Sequence, residues 1–146
     1  MLLVVFQAGA ERFGLDVSRV REVLSVPTLR PLPAAPEYMA GLFDYHGTLV
    51  PVIDLSHLLV GRSVRMLLST RVVVVEYDGA HLLGLLAERA TETVSCREQD
   101  CLPAGVAVDG APYLGPILRN ADGMIQRVTV EELLPESVRE TLFVGL

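Results

Sequence analysis

The chain has no lysine and no tryptophan, and all twelve of its basic residues are arginines. Catalysis through a lysine Schiff base and phosphate binding through a P-loop lysine are therefore excluded. Long apolar runs are missing as well. None reaches the roughly 18 residues a membrane-spanning helix requires. The opening MLLVVFQAG has no basic leader, long apolar region or cleavage site, so it is not expected to be a signal peptide. A soluble cytoplasmic protein without direct membrane insertion is expected.

Positive charge is scarce. The net charge is −6 and the isoelectric point about 5.0. Nucleic-acid binders carry basic stripes, often with exposed aromatics, so no nucleic-acid partner is expected. An anionic membrane surface is equally disfavoured. Only two cysteines occur, Cys96 and Cys101. Without nearby histidines they do not complete a zinc site, and two reduced, partly buried thiols are expected.

The usual catalytic signatures are absent too. There is no G-x-S-x-G, no Walker A motif and no H-E-x-x-H. His46, His57 and His81 have no ligand spacing. No cofactor and no metal are expected.

What the chain does contain is a repeat. Residues 2–25 (LLVVFQAGAERFGLDVSRVREVLS) align without gaps with residues 72–95 (VVVVEYDGAHLLGLLAERATETVS). Nine of 24 positions are identical, including Gly9/Gly79, Gly14/Gly84 and Arg19/Arg89. Gly41, Gly47 and LSHLL (55–59) find weaker echoes in Gly115, Gly123 and VEELL (130–134). Two copies are too few for a solenoid. They point to two similar halves, 1–69 and 70–146, in one domain of 146 residues.

Each half opens with a β-rich run, a glycine turn and a returning strand. Gly14 and Gly84 interrupt that second strand, where a bulge or bend is expected. SRVREVLS (18–25) carries Val20, Val23 and Leu24 at i, i+3 and i+4, which predicts a short helix capped by Ser18. A weaker helix is predicted at ERATETVS (88–95). The prolines of PLPAAPEY predict an extended connector. Two strands around DYHG predict a hairpin, with Pro51 at an edge or bulge. Short, strongly bent strands suit small closed barrels. Val138 and Leu142 predict a short C-terminal helix.

Asp54 stands before LSHLLVG. An aspartate there caps a short helix that Gly61 closes. A catalytic Asp54 would need a partner, and His57 alone does not complete a site. In LLGLLAERA the polar alternation fails, so that strand is covered either by the other half or by a partner protein.

LDVSRVREVL, PLPAAPEYMAGLFDYHGTLVPVIDLSHLL and GLLAERATETV together resemble the CheW-like adaptors of bacterial chemosensory arrays. The middle segment follows P-L-P-x-x-P-x-x-x-x-G-L-x-x-x-R-G-x-x-x-P-V-x-D-L at nearly every position. The resemblance covers about residues 2–135. It implies a mainly β fold of two five-stranded SH3-like barrels with short helices, and no enzymatic activity. The implied partners are the cytoplasmic tip of a chemoreceptor and the regulatory domain of a chemosensory histidine kinase, at membrane-associated arrays. Weak self-association is a further contact the resemblance allows.

Carried over by position, the receptor groove would use Val17, Val20 and Val23 with Leu85 and Leu86, and Glu22 would be its acidic position. Where the family has arginine before glycine, this chain has His46. That departure predicts a weaker or pH-sensitive Glu22–His46 contact in place of an arginine pair. Further departures, at GLLAERA and MIQRVTVEELL, fall in the second half. They suggest a specialised array, such as the surface-sensing Wsp type, rather than one for swimming.

Overall fold

The computed structural model describes residues 1–102, 111–120 and 123–144. Its elements in chain order are β1 (Leu2–Ala8), β2 (Glu11–Asp16), β3 (Val20–Ser25), β4 (Met39–Tyr45), β5 (Thr48–Asp54), α1 (Leu55–Val60), β6 (Arg71–Asp78), β7 (His81–Ser95), β8 (Cys101–Leu102), β9 (Leu114–Asn120), β10 (Gly123–Val128) and α2 (Glu136–Val144).

The strands form two small barrels, as expected. One is ordered β3–β6–β7–β5–β4, using β7 only through Ala87. The other is ordered β7–β1–β2–β10–β9–β8 and takes β7 from Glu88 onward. In each, the chain leaving the third strand of a repeat pairs with a later hairpin. Arg30 and Leu42 exchange two 2.8 Å backbone bonds in the first barrel. Cys101 pairs with Leu118 in the second.

Pairing crosses the sequence boundary at 69/70. The β1–β2 hairpin belongs with β8, β9 and β10, whereas β6 and the start of β7 belong with β3, β4 and β5. Assigning one barrel to residues 1–69 and the other to 70–146 is therefore corrected: each half lends its first hairpin to the other. Both repeats carry the same apolar pattern, so either pairing satisfies it locally. The exchange happens within β7, where the register breaks between Val5↔Glu92 and Gln7↔Glu88 and Arg89 takes a φ of 53°.

The exchange explains why the early strands lack polar alternation. Val72 and Val74 fill the β3–β7 barrel with Phe43, Val50, Val52 and Leu86. Leu3 and Val5 fill the other with Leu118 and Ile125. The alternate residues Phe6, Phe13, Val73, Val75, Leu83 and Leu85 form a larger core between the barrels. Both faces of these strands are dry, as in a sheet covered on each side. Val138 and Leu142 of the predicted C-terminal helix, α2, pack on this central core.

Gly14 and Gly84 are not bulges. Gly84 opens one parallel ladder opposite Val52, and Gly14 closes the other opposite Arg127. A Cβ at Gly84 would lie 2.8 Å from Val52 Cγ2 and 3.1 Å from Val72 Cγ1. Close approach inside the barrel, rather than backbone conformation, excludes a side chain there. Pro51 stands opposite Leu42, whose N–H and C=O both bond Arg30. The ladder asks no donor of Pro51 at that pair, which lets a proline sit in β5.

The predicted helix over 18–25 is replaced by a 3-10 turn at Val17–Arg19, capped by Asp16, which accepts from the Ser18 N–H, followed by strand β3. The second predicted helix, over 88–95, is the latter part of β7.

Candidate partner-binding surface

The spacing that imitated a helix is made by a bulge. Val20 pairs with Val75 and Glu22 with Val74, which leaves Arg21 as the extra residue. The shift by one residue puts Val20 and Val23 on the same side as Val75 and Val73, toward the central core. Val20 is partly buried there, and Val23 stays 40% exposed. Val17, on the preceding 3-10 turn, is also partly buried. Val20 and Val23 thus share one side of β3 with Val17 on the turn just before them, a valine ridge of which Val23 is the exposed part. Among the described residues β3 pairs with no strand but β6.

Leu85 and Leu86 do not join them. Leu85 is fully buried between the barrels, and Leu86 is 3% exposed inside the β3–β7 barrel. The unbroken apolar run is covered by the protein itself, so neither leucine is available to a partner surface. Their placement in the groove is corrected on that ground.

Glu22 points the other way, with Val74, toward the mouth of the β3–β7 barrel. Its carboxylate accepts a 2.7 Å hydrogen bond from the Tyr45 hydroxyl. That bond, with burial and the negative charge of Glu22 behind it, pushes the Tyr45 phenol above its ordinary value. His46 packs edge-on against Tyr45, ring centroids 4.5 Å apart. It has no ion pair with Glu22. The expected Glu22–His46 contact is therefore replaced by a relay through Tyr45, a residue the sequence pattern gave no reason to select. His46 itself occupies the first position of a two-residue hairpin turn, φ 52°, followed by Gly47 at φ 89°. Histidine is among the residues that tolerate that region.

Arg19 is the second residue the motif reading missed. Its guanidinium bonds the Tyr77 carbonyl at 3.0 Å and Glu131 at 3.2 Å, fastening the turn that carries Val17 to β6 and to the 3-10 turn Val130–Glu132. Its identity with Arg89 in the repeat was the available signal. Arg21 pairs with Glu76 at 2.7 Å beside the ridge. Charged groups thus frame an apolar strip, as at the rim of a protein interface.

Asp54 behaves as a cap. Oδ1 accepts from His57 N at 3.1 Å and Oδ2 from Val64 N at 2.9 Å, and Gly61 closes α1 at φ 75°. The His57 ring turns to Glu37, 3.5 Å away. Among the described residues no three metal-ligating side chains converge. Cys96 and Cys101 are free thiols with Sγ atoms 3.0 Å apart. Burial, then the neighbouring Cys101, pushes the Cys96 thiol up to about 11. No described helix is long and apolar enough to cross a membrane.

Residues 2–138 match the family described as CheW-like domain. The "Chemotaxis protein CheW" of Treponema pallidum (strain Nichols) is 26% identical over 141 residues, covering 90% of this chain and 80% of that protein. Its namesake from Rhizobium meliloti (strain 1021) is 25% identical over 140 residues, covering 94% and 90%. Among solved structures, the scaffolding protein TtCheW from Thermoanaerobacter tengcongensis superposes with a TM-score of 0.83 at 27% identity, covering 94% of this chain and 89% of its own. With two barrels joined through β7 and a match running nearly from end to end, this chain belongs to the CheW-like domain family.

Proposed function

We infer that the chain is a non-enzymatic adaptor of a bacterial chemosensory array. It couples the cytoplasmic tip of a chemoreceptor to the regulatory domain of a chemosensory histidine kinase. The observation that carries this reading is the ridge of Val17, Val20 and Val23. A partly exposed apolar strip on a strand margin, Val23 standing out most, suits the apolar side of a receptor helix laid along it, with Arg19 at its edge setting orientation. Relatives named for chemotaxis and a scaffolding neighbour support the same reading.

The seat of the protein at membrane-associated arrays follows from receptor binding. A specialised, non-flagellar array, such as a surface-sensing one, is the finer form of the proposal. It is supported by His46, which stands on Tyr45 where the family arginine would meet the acidic residue.

Val23→Arg tests the ridge. Val23 is half exposed, so the fold tolerates a charge there, whereas Val20 also packs on the core. In titrations against a receptor cytoplasmic fragment, the variant should lose binding while its thermal unfolding stays close to wild type. Undiminished receptor binding by the folded variant would overturn the assignment.

A further inference from the structure

A second surface feature lies away from the valine ridge. Between α1, the loop that follows it and the kink of β7 is a concavity of ≈ 630 Å³. Arg62, Arg65 and Arg89 all line it, on a chain whose net charge is −6.

Only one of the three arginines is neutralised. The buried Glu88 carboxylate accepts from Arg65 Nε at 2.8 Å and from Arg65 N at 2.7 Å, which fixes that residue. Arg62 and Arg89 have no carboxylate partner among the described residues. Arg62 is held close to the β1–β2 turn, its Nη2 3.3 Å from where a Cβ on Gly9 would stand. Arg89 enters from the strand exchange, with its left-handed φ of 53°.

An independent observation marks the wall of the concavity. Ser56 lines it and is 3% exposed, and its Oγ has no hydrogen-bond partner. Buried hydroxyls are ordinarily satisfied, and an orphan one in the wall that Arg62 and Arg89 also line is a donor without an acceptor.

We propose that this concavity binds a phosphate-class dianion. Arg62 and Arg89 approach from two elements and supply two positive charges. Guanidinium forks match phosphate oxygens, and the Ser56 hydroxyl adds a donor. A single carboxylate offers only two oxygens and one charge, and leaves part of that donor set unused. The volume exceeds one phosphate, so it admits either the free ion or a monoester carried by a nucleotide or a phosphorylated side chain. The site shares no residue with the valine ridge, and the inference stands or falls independently of the adaptor reading.

The test is an NMR titration of the full chain, at matched ionic strength, with inorganic phosphate, acetate, adenosine monophosphate and O-phosphoserine. Saturable shifts at Gly9, Ser56 and Arg89 with phosphate, and not with acetate, are expected. The Arg62→Gln/Arg89→Gln pair should weaken phosphate by about tenfold or more while leaving a dispersed spectrum, since each lost fork is a charge-assisted contact. Ser56→Ala, which removes only the unpartnered hydroxyl, should weaken it by a smaller factor and guards against a misfolded double variant. Tighter binding of either ester identifies the source, and equal binding leaves phosphate itself as the ligand. Non-saturating shifts, equal shifts with acetate, or unchanged affinity in the folded variants would overturn the proposal.

Discussion

The Tyr45 hydroxyl donates a 2.7 Å hydrogen bond to the Glu22 carboxylate, joining β4 to the strand that carries the valine ridge. The bond favours the protonated phenol and lifts Tyr45 above the ordinary tyrosine range near 10. Glu22→Gln removes the acceptor charge. The Tyr45 ring carbon resonances should then titrate at lower pH than in wild type. An unchanged titration would mean the hydroxyl is not bonded to Glu22 in solution.

The His46 position follows from the same contact. His46→Arg restores the residue the family pattern carries. Its guanidinium is expected to compete with Tyr45 for Glu22, lowering the Tyr45 titration as Glu22→Gln does. Partner affinity measured in parallel would reveal whether that competition tunes binding. A Tyr45 titration that stays at the wild-type position would contradict direct competition.

Glu88 predicts an acid dependence. Burial alone would raise its pKa, but hydrogen bonds from the Arg65 side chain and backbone outweigh it and hold the carboxyl below its ordinary value. A depressed folded value means stability present above about pH 4.3 and lost as pH falls through the lower folded value. Glu88→Gln should cost about 1–2 kcal/mol at neutral pH, allowing for the exposed arginine. It should also flatten the acid limb of a denaturation series. Asp78, lowered chiefly by its hydrogen bond with His81, leaves a residual limb. An acid limb as steep as wild type would show that Glu88 is not its source.

Gly84→Ala sets a methyl group 2.8 Å from Val52 Cγ2, with Val72 close behind. Both neighbours are fully buried. Overpacking of this kind costs about 1–3 kcal/mol. Urea unfolding should show a lower midpoint with the slope unchanged. A neutral substitution would mean the barrel relaxes at that ladder.

Asp54→Asn keeps the cap to His57 N but turns an amide nitrogen toward Val64 N, or the reverse. Losing one of the two bonds should cost about 1 kcal/mol. No hydrolytic turnover is expected from either form. A turnover abolished by the substitution would reassign Asp54 to catalysis.

Much of this architecture was legible because it is local. The Asp54 cap, the His46–Gly47 turn and the apolar face of α2 each depend on a few neighbouring residues. The repeat also announced two alike units. Which strands share a barrel was not legible. The β1 and β6 patterns are interchangeable, and β7 changes partners at the kink beside Arg89, which no motif announces. The helix expected at 18–25 failed for a related reason. A bulge at Arg21 brings Val20 and Val23 to one side, reproducing the i, i+3 spacing of a helix. Leu85 and Leu86 were misplaced because a doubly buried strand and an exposed apolar one read alike in sequence. The concavity at Arg62 and Arg89 joins residues from separate elements and left no motif.

The most direct measurement is a pair of binding titrations of the wild-type chain and Val23→Arg. One uses a chemoreceptor cytoplasmic fragment and the other the regulatory domain of a chemosensory histidine kinase. A coupling adaptor binds both, and Val23→Arg loses the receptor while the fold is retained. Wild-type failure to bind the receptor fragment, or full receptor binding by the variant, would contradict it.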